Sequence, residues 1–221
     1  MISVAIDGPA GAGKSTIAKA LSKDMGYIYV DTGALYRTVG LYMLRNNIST
    51  TDAENVGKAL DDISVEMKHI DGVQRVFLNG EDVSDFIRTE EVSMAASNVS
   101  AIPSVRAFLL SLQRDIAKKN NIVMDGRDIA TVVLPNATVK IFLTASAEER
   151  ATRRYKELIE KGQKADYDKV LEDIKTRDYN DSHREIAPLK PSEESVIIDT
   201  TDVPLKKAIE MLKQAVEEGI K

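Results

Sequence analysis

One nine-residue segment constrains this chain more than any other: Gly8-Pro9-Ala10-Gly11-Ala12-Gly13-Lys14-Ser15-Thr16. It fits the pattern G-x-x-x-x-G-K-[ST] and lies in the context that pattern requires, after a β-branched run and before a helix. The run is Ile2 to Ile6. In the helix, Ile17, Leu21 and Met25 recur every four residues. Spaced glycines let the backbone curl so that several N–H groups converge on phosphate oxygens. The helix that follows offers the positive end of its dipole to the same anion. Lys14 supplies a point charge for the β- and γ-phosphates, and the hydroxyl of Ser15 or of Thr16 is within reach of a Mg²⁺ ion. The segment therefore predicts a strand–loop–helix unit that binds a nucleoside triphosphate through Gly8, Pro9, Ala10, Gly11, Ala12, Gly13, Lys14, Ser15 and Thr16.

The rest of the chain repeats the alternation that this unit begins. Tyr27 to Val30, Ile122 to Met124, Thr138 to Leu143 and Ser195 to Ile198 are short apolar runs. They read as parallel strands buried on both faces. Between them lie helical periodicities: Val105, Phe108, Leu109 and Leu112, then Leu205, Ala208, Ile209 and Leu212. Thr51-x-x-Glu54 and Ser146-x-x-Glu149 read as capping boxes that open two more helices. The expectation is an α/β fold with a parallel sheet. One segment departs from it. Ile63 to Ile70, Asp71-Gly72 and Val73 to Leu78 read as a hairpin, and Asn79-Gly80 is a second turn. The predicted organisation is a core of residues 1–62 and 98–221, with an antiparallel insertion at 63–97. Gly162 to Asp168 is a candidate flexible stretch between two charged helices.

Composition removes whole classes of chemistry. The 221 residues suit one large domain, or a domain with an insertion, at roughly 150 residues per domain. With no cysteine and two histidines, His69 and His183, thiolate chemistry is excluded and no multi-histidine zinc site is expected. No apolar run approaches the roughly 20 residues of a membrane span. The amino terminus lacks the basic and long apolar regions of a signal peptide, so the cytoplasm is the expected compartment and no membrane partner is expected. A net charge of −5 argues against a nucleic-acid-coating protein, including an RNA-binding one built on a phosphate loop. A small anion requires only locally concentrated cations.

Arginines supply them. Arg150, Arg153 and Arg154 share one helix face by spacing, which a solvated charged face would explain as well. Further on, Tyr167, Val170, Leu171 and Ile174 form an apolar stripe that Arg177, Asp181 and Arg184 continue, within about 80° of Ile174. Charges on a buried stripe are costly unless paired or bound, so these three are candidates for a polar ligand; the competing reading is a helix that emerges into water. Arg37 follows Asp31-Thr32-Gly33, and Asp125-Gly126-Arg127-Asp128 follows the third parallel strand. Ligands of open α/β sheets bind beyond the carboxyl ends of strands, and arginine there suits bidentate phosphate recognition. Asp31 and Asp125 are the candidate bases if an acceptor were a hydroxyl. The Asn-Lys-x-Asp guanine signature of regulatory GTPases is absent.

These residues, together with Ile87-Arg88-Thr89-Glu90, Val139-Lys140-Ile141-Phe142-Leu143, Arg177-Asp178 and Ala187-Pro188-Leu189, resemble the bacterial cytidylate kinases, P-loop nucleoside-monophosphate kinases, over essentially the whole chain. The resemblance implies a three-layer P-loop fold with a five-stranded parallel sheet, a small antiparallel β insertion and a helical lid at about 150–168. It implies phosphoryl transfer from ATP, with Mg²⁺, to CMP or dCMP, by a monomer. It implies that Arg37 and Arg127 hold the acceptor's phosphate, and that Thr32 is a further CMP-binding residue. Ser97, Arg106 and Asp128 would read the cytosine edge, and Arg177 and Asp181, with Arg184 beside them, would contact the sugar. Lys14, Arg127, Arg150, Arg153, Arg154 and Arg184 would be the catalytic cations. Ser15 departs from relatives that carry glycine there, which leaves open whether Ser15 or Thr16 meets the metal. Two other readings remain at this point: a P-loop kinase of another small acceptor, and a non-enzymatic ATP-dependent interaction protein.

Overall fold

A computed structural model describes residues 1–221. In chain order its elements are β1 (Ser3–Asp7), α1 (Lys14–Met25), β2 (Ile28–Asp31), α2 (Thr32–Arg45), α3 (Ala53–Ala59), β3 (Val65–Ile70), β4 (Val73–Leu78), β5 (Glu81–Asp82), α4 (Glu90–Ser100) and α5 (Pro103–Lys119). They continue with β6 (Ile122–Gly126), β7 (Val139–Thr144), α6 (Ala147–Glu160), α7 (Tyr167–His183), β8 (Val196–Asp199) and α8 (Leu205–Ile220). The chain divides into two compact units, one of residues 1–29 and 120–221, the other of residues 30–119.

The first unit is built on the α/β sheet, whose five strands run in the order β2-β6-β1-β7-β8. β1 pairs in parallel with β6 and β7, and β7 with β8. Central strands of such a sheet have no water-facing side, and Val4, Ala5, Ile6, Val123 and Met124 are all fully buried. Ile17 and Leu21 of α1, and Leu212 and Val216 of α8, pack into the same apolar cluster as Ile6, Val123 and Ile141. The expectation of burial on both faces fails at β8, where Val196 and Ile197 are exposed. β8 is the last strand of the sheet, so its residues lack a neighbour on one side.

The second unit gathers α2, α3, α4, α5 and the three-stranded antiparallel sheet β3-β4-β5 around a separate core of Leu35, Val39, Met43, Val76, Val92, Val99 and Leu109. The hairpin expected at 63–78 forms, with Ile70 opposite Val73 and with Asp71 and Gly72 at φ 52° and 75°. Both central residues at positive φ is the two-residue turn whose twist matches the strands. The antiparallel segment thus sits inside a larger compact unit than the insertion the sequence delimits. The cause is apolar: β4 shares its core with α2 and α5. Close packing of α2 on α4 depends on Gly40, where an added Cβ would lie 3.0 Å from the Ala96 amide nitrogen.

The capping boxes come out differently. Ser146 accepts from the Glu149 amide at 3.1 Å, but the Glu149 carboxylate takes Arg153 rather than turning back. At α3 the cap is Asp52, one residue after the expected Thr51, because its carboxylate receives both the Asn55 amide and the Asn55 side chain. Gly162, at φ 72°, closes α6, and Asp166 caps α7 by accepting from the Lys169 amide. Tyr155 of α6 and Tyr167 of α7 meet edge to face, ring centroids 6.1 Å apart.

Candidate active site

In the first unit the phosphate loop follows the carboxyl end of β1. Gly8 adopts φ 150°, and a Cβ there would fall 1.9 Å from the Leu143 carbonyl oxygen, so only glycine fits. Lys14 is buried, with Nζ donating to the Pro9 carbonyl at 2.7 Å across the loop. Burial, helped by the nearby Arg127 cation, pulls its pKa down to about 7 against the opposing pull of Asp125, Asp181 and Asp7. Ser15 Oγ donates to Asp125 Oδ2 at 2.9 Å, and Tyr29 Oη donates to Asp125 Oδ1 at 2.9 Å. Thr16 is exposed. No group of three or more His, Cys, Asp or Glu side chains is arranged to hold a metal. One hydroxyl backed by one buried carboxylate fits a hard cation carried mainly by nucleotide phosphates and water.

Beyond β6, Arg127 and Asp128 each join a charged residue of the segment formed by α7 and its C-terminal cap. Arg127 Nε donates to Asp181 Oδ2 at 2.8 Å, and Arg184 Nη2 stands 3.6 Å from Asp128 Oδ1. Burial is the largest single influence and works against the Arg127 charge, but Asp181, Asp125 and Asp178 together outweigh it and the guanidinium pKa rises. Asp181 is buried, Arg177 half-buried, and Arg184 caps the C-terminus of α7 and donates from Nε to the Ala187 carbonyl. The four charged side chains Arg127, Asp128, Asp181 and Arg184 therefore interlock as two ion pairs.

The three arginines of α6 part company. Arg150 is buried: Nε donates to Ala145 O, Nη1 to Ala10 O in the phosphate loop, and the guanidinium meets Asp178 through both nitrogens at 3.0 and 2.5 Å. Arg153 is half-buried and donates to the Thr200 carbonyl at 2.6 Å and to Glu149 at 2.9 Å. Arg154 is the most exposed, pairing only with Glu157 one turn along. One face by spacing thus becomes three environments by depth.

Four of the expected acceptor residues belong to the second unit. Thr32 is buried at the start of α2, and Ser97 is half-buried on α4. Arg106 is buried, with Nη1 donating to the Ser100 carbonyl and its guanidinium 5.8 Å from the Tyr36 ring centroid. Arg37 Nη2 donates to Asp31 Oδ2 at 2.8 Å, while its buried Nε has no hydrogen-bond partner. Asp31 is a hub: it caps α2 through the Ala34 amide and also pairs with Arg88 at 3.4 Å. The orphaned Nε and two arginines around one carboxylate leave this corner with surplus donors, which suits an incoming anion.

Sequence reasoning raises Asp125 as a strand-end carboxylate and a candidate base, and it misses Asp7, Tyr29, Asp31 as a holder of arginines, Asp178 and Thr200. Asp7 is fully buried and accepts from the Ile129 amide at 2.7 Å and the Ala130 amide at 2.8 Å. Burial pushes its carboxyl pKa up to about 6 despite those two donors. The available signal was the acid that ends four of the five apolar runs, at Asp7, Asp31, Asp125 and Asp199.

The family profile described as Cytidylate kinase matches residues 4–218. The cytidylate kinase of Caldicellulosiruptor bescii is 50% identical over 220 residues, covering 100% of this chain and 97% of that protein. That of Caldanaerobacter subterraneus subsp. tengcongensis is 51% identical over 222 residues, covering 100% and 96%. That of Streptococcus gordonii is 48% identical over 214 residues, covering 96% and 95%. Among solved structures, an uncharacterized protein from Eubacterium ventriosum aligns with a TM-score of 0.56 at 14% identity, covering 98% of this chain and 99% of that one. At that identity the likeness concerns the fold.

Proposed function

From membership of the cytidylate kinase family, to which this chain belongs, we infer that it transfers the γ-phosphoryl group of ATP to the phosphate of CMP or dCMP, giving ADP and CDP or dCDP. The observation that supports the reading at the atomic level is the Lys14–Ser15–Asp125 arrangement near the ends of β1 and β6, whose buried amine, hydroxyl and carboxylate suit a triphosphate and the cation it would carry.

The acceptor is a phosphate, ionised at neutral pH, so no general base is required. Two histidines, neither among the groups described above, are compatible with that chemistry. Catalysis rests on positioning and on cations around the transferring group. Lys14 leaves its Pro9 carbonyl for the β- and γ-phosphates. Arg127, Arg153, Arg154 and Arg184 contribute charge to the acceptor or the transferring group, and Arg150 contributes through its hold on the phosphate loop. A Mg²⁺ ion carried with ATP would be held by the Ser15 hydroxyl rather than the exposed Thr16, with Asp125 behind it, and would supply neutralisation of phosphate charge. Arg37 and Arg127 hold the acceptor phosphate, and Thr32 is a further contact to CMP. Ser97, Arg106 and Asp128 read cytosine, and Arg177, Asp181 and Arg184 meet the sugar. We propose that it works in the cytoplasm as a monomer.

The test is a coupled ADP-release assay with CMP, dCMP, UMP, AMP and GMP side by side. CMP and dCMP should be the preferred acceptors by at least tenfold in kcat/KM over UMP. A site that pairs with an amino-pyrimidine edge rejects the analogue that leaves its groups unpaired. Equal use of UMP, or ATP binding with no acceptor-dependent ADP release, would overturn the assignment.

A further inference from the structure

The turn that carries Arg127 and Asp128 is capped from an unexpected direction. Residues Ile129–Val133 form a single π-helical turn, with Asp128 at its N-cap position. Aspartate there ordinarily turns its own carboxylate onto the first amides of the turn. Asp128 makes no such side-chain cap. The Ile129 and Ala130 amides instead donate to the two oxygens of Asp7, more than a hundred residues away in the chain, at 2.7 and 2.8 Å. The Asp128 carboxylate is thereby kept out of the cap and stands 3.6 Å from Arg184.

We propose that Asp7 is a positioning residue for acceptor recognition: by capping the π-turn in place of Asp128, it fixes the Arg127–Asp128 backbone and commits the Asp128 side chain to the ligand. The proposal rests on the reading of Arg127 and Asp128 as acceptor-binding residues. Three features support it. Asp7 is the last residue of β1, with its backbone in register with Gly126 on one side and Phe142 on the other, so its carboxylate has little freedom to follow a shifted turn. It uses both oxygens at once, so an amide in its place retains one acceptor and sets an N–H against an N–H. A buried carboxylate without a salt bridge is costly to keep, and Asp7, which borders the phosphate loop through Gly8 and feels the Lys14 charge, spends both its hydrogen-bonding oxygens on the π-turn. π-turns also concentrate at functional sites.

The experiment compares wild type, Asp7→Asn and Asp128→Ala for KM and kcat with CMP and UMP, and for KM with ATP. Asp7→Asn should raise the KM for CMP by tenfold or more, change the KM for ATP by less than threefold, and lower the CMP-to-UMP preference towards that of Asp128→Ala. A structural role alone would reduce the amount of active enzyme while leaving both the KM for CMP and the preference untouched, and that result overturns the proposal. If Asp128→Ala itself keeps the wild-type preference, the reading of Asp128 fails rather than the role of Asp7. In that case hydrogen exchange decides: Asp7→Asn must speed exchange at Ile129 and Ala130 by tenfold or more, and unchanged protection there refutes the cap. If Asp7→Asn does not fold, Asp7→Ser, smaller and able to accept one of the two amides, carries the same expectations.

Discussion

Binding of ATP should draw a proton from solution, and the amount follows from the surroundings of Lys14. Burial and the Arg127 charge hold its pKa down to about 7. The sign is set by which form each state favours: the nucleotide-free loop favours neutral lysine, and triphosphate oxygens favour ammonium. At pH 8 a group of pKa 7 is about 10% protonated, so restoring a lysine pKa above about 10 on binding takes up about 0.9 proton per ATP. At pH 7 the uptake is about 0.5, and at pH 6 about 0.1. The same linkage weakens ATP affinity by nearly tenfold per pH unit above about pH 8. The assay is calorimetry of Mg-ATP binding, without acceptor, at pH 8 in three buffers of differing ionisation enthalpy. The slope of apparent enthalpy against buffer enthalpy counts protons. Lys14→Met, titrated identically, removes the contribution of the nucleotide itself, and the difference between the slopes should be close to 0.9. A difference below about 0.2 at pH 8 would mean that Lys14 is already charged in the free enzyme, and the burial argument would be wrong.

Other perturbations separate the parts. Lys14→Ala should lower kcat by about 100-fold or more in a folded protein, as loss of a transition-state cation does, measured by steady-state ADP release. Arg150→Ala strips a buried bidentate partner from Asp178 and a donor from the Ala10 carbonyl, so it should cost about 3 kcal/mol in denaturant unfolding. Arg154→Ala, at an exposed pair, should change stability by less than about 1 kcal/mol while lowering kcat and kcat/KM together, with CMP binding by calorimetry unaltered. Gly8→Ala drives a methyl to 1.9 Å from the Leu143 oxygen and should abolish soluble expression or lower the melting temperature by more than 10 °C.

What the sequence reveals and what it hides divide along the range of the interactions involved. The phosphate loop, the strand runs and the Asp71-Gly72 hairpin are legible because their physics is local: glycine at positive φ, a cation at a fixed offset, alternation that matches a known element. Helix spacing places Arg150, Arg153 and Arg154 on one face but gives no depth along it. Depth is set by Ala10, Asp178 and Thr200, which lie up to 140 residues away in the chain. The same limit hides the pairing of Ser15 with Asp125, 110 residues apart, and of Asp7 with the π-turn. Acids at Asp7 and Asp125 look alike in sequence, each closing an apolar run, yet they end in opposite employments. Asp125 accepts from two hydroxyls, Ser15 and Tyr29, that a cation-bearing ligand can rearrange. Asp7 accepts from two backbone amides that no ligand replaces. Adjacent strands β1 and β6 thus each carry a buried carboxylate near their ends, one accepting from two side-chain hydroxyls and the other from the two amides that open the π-turn.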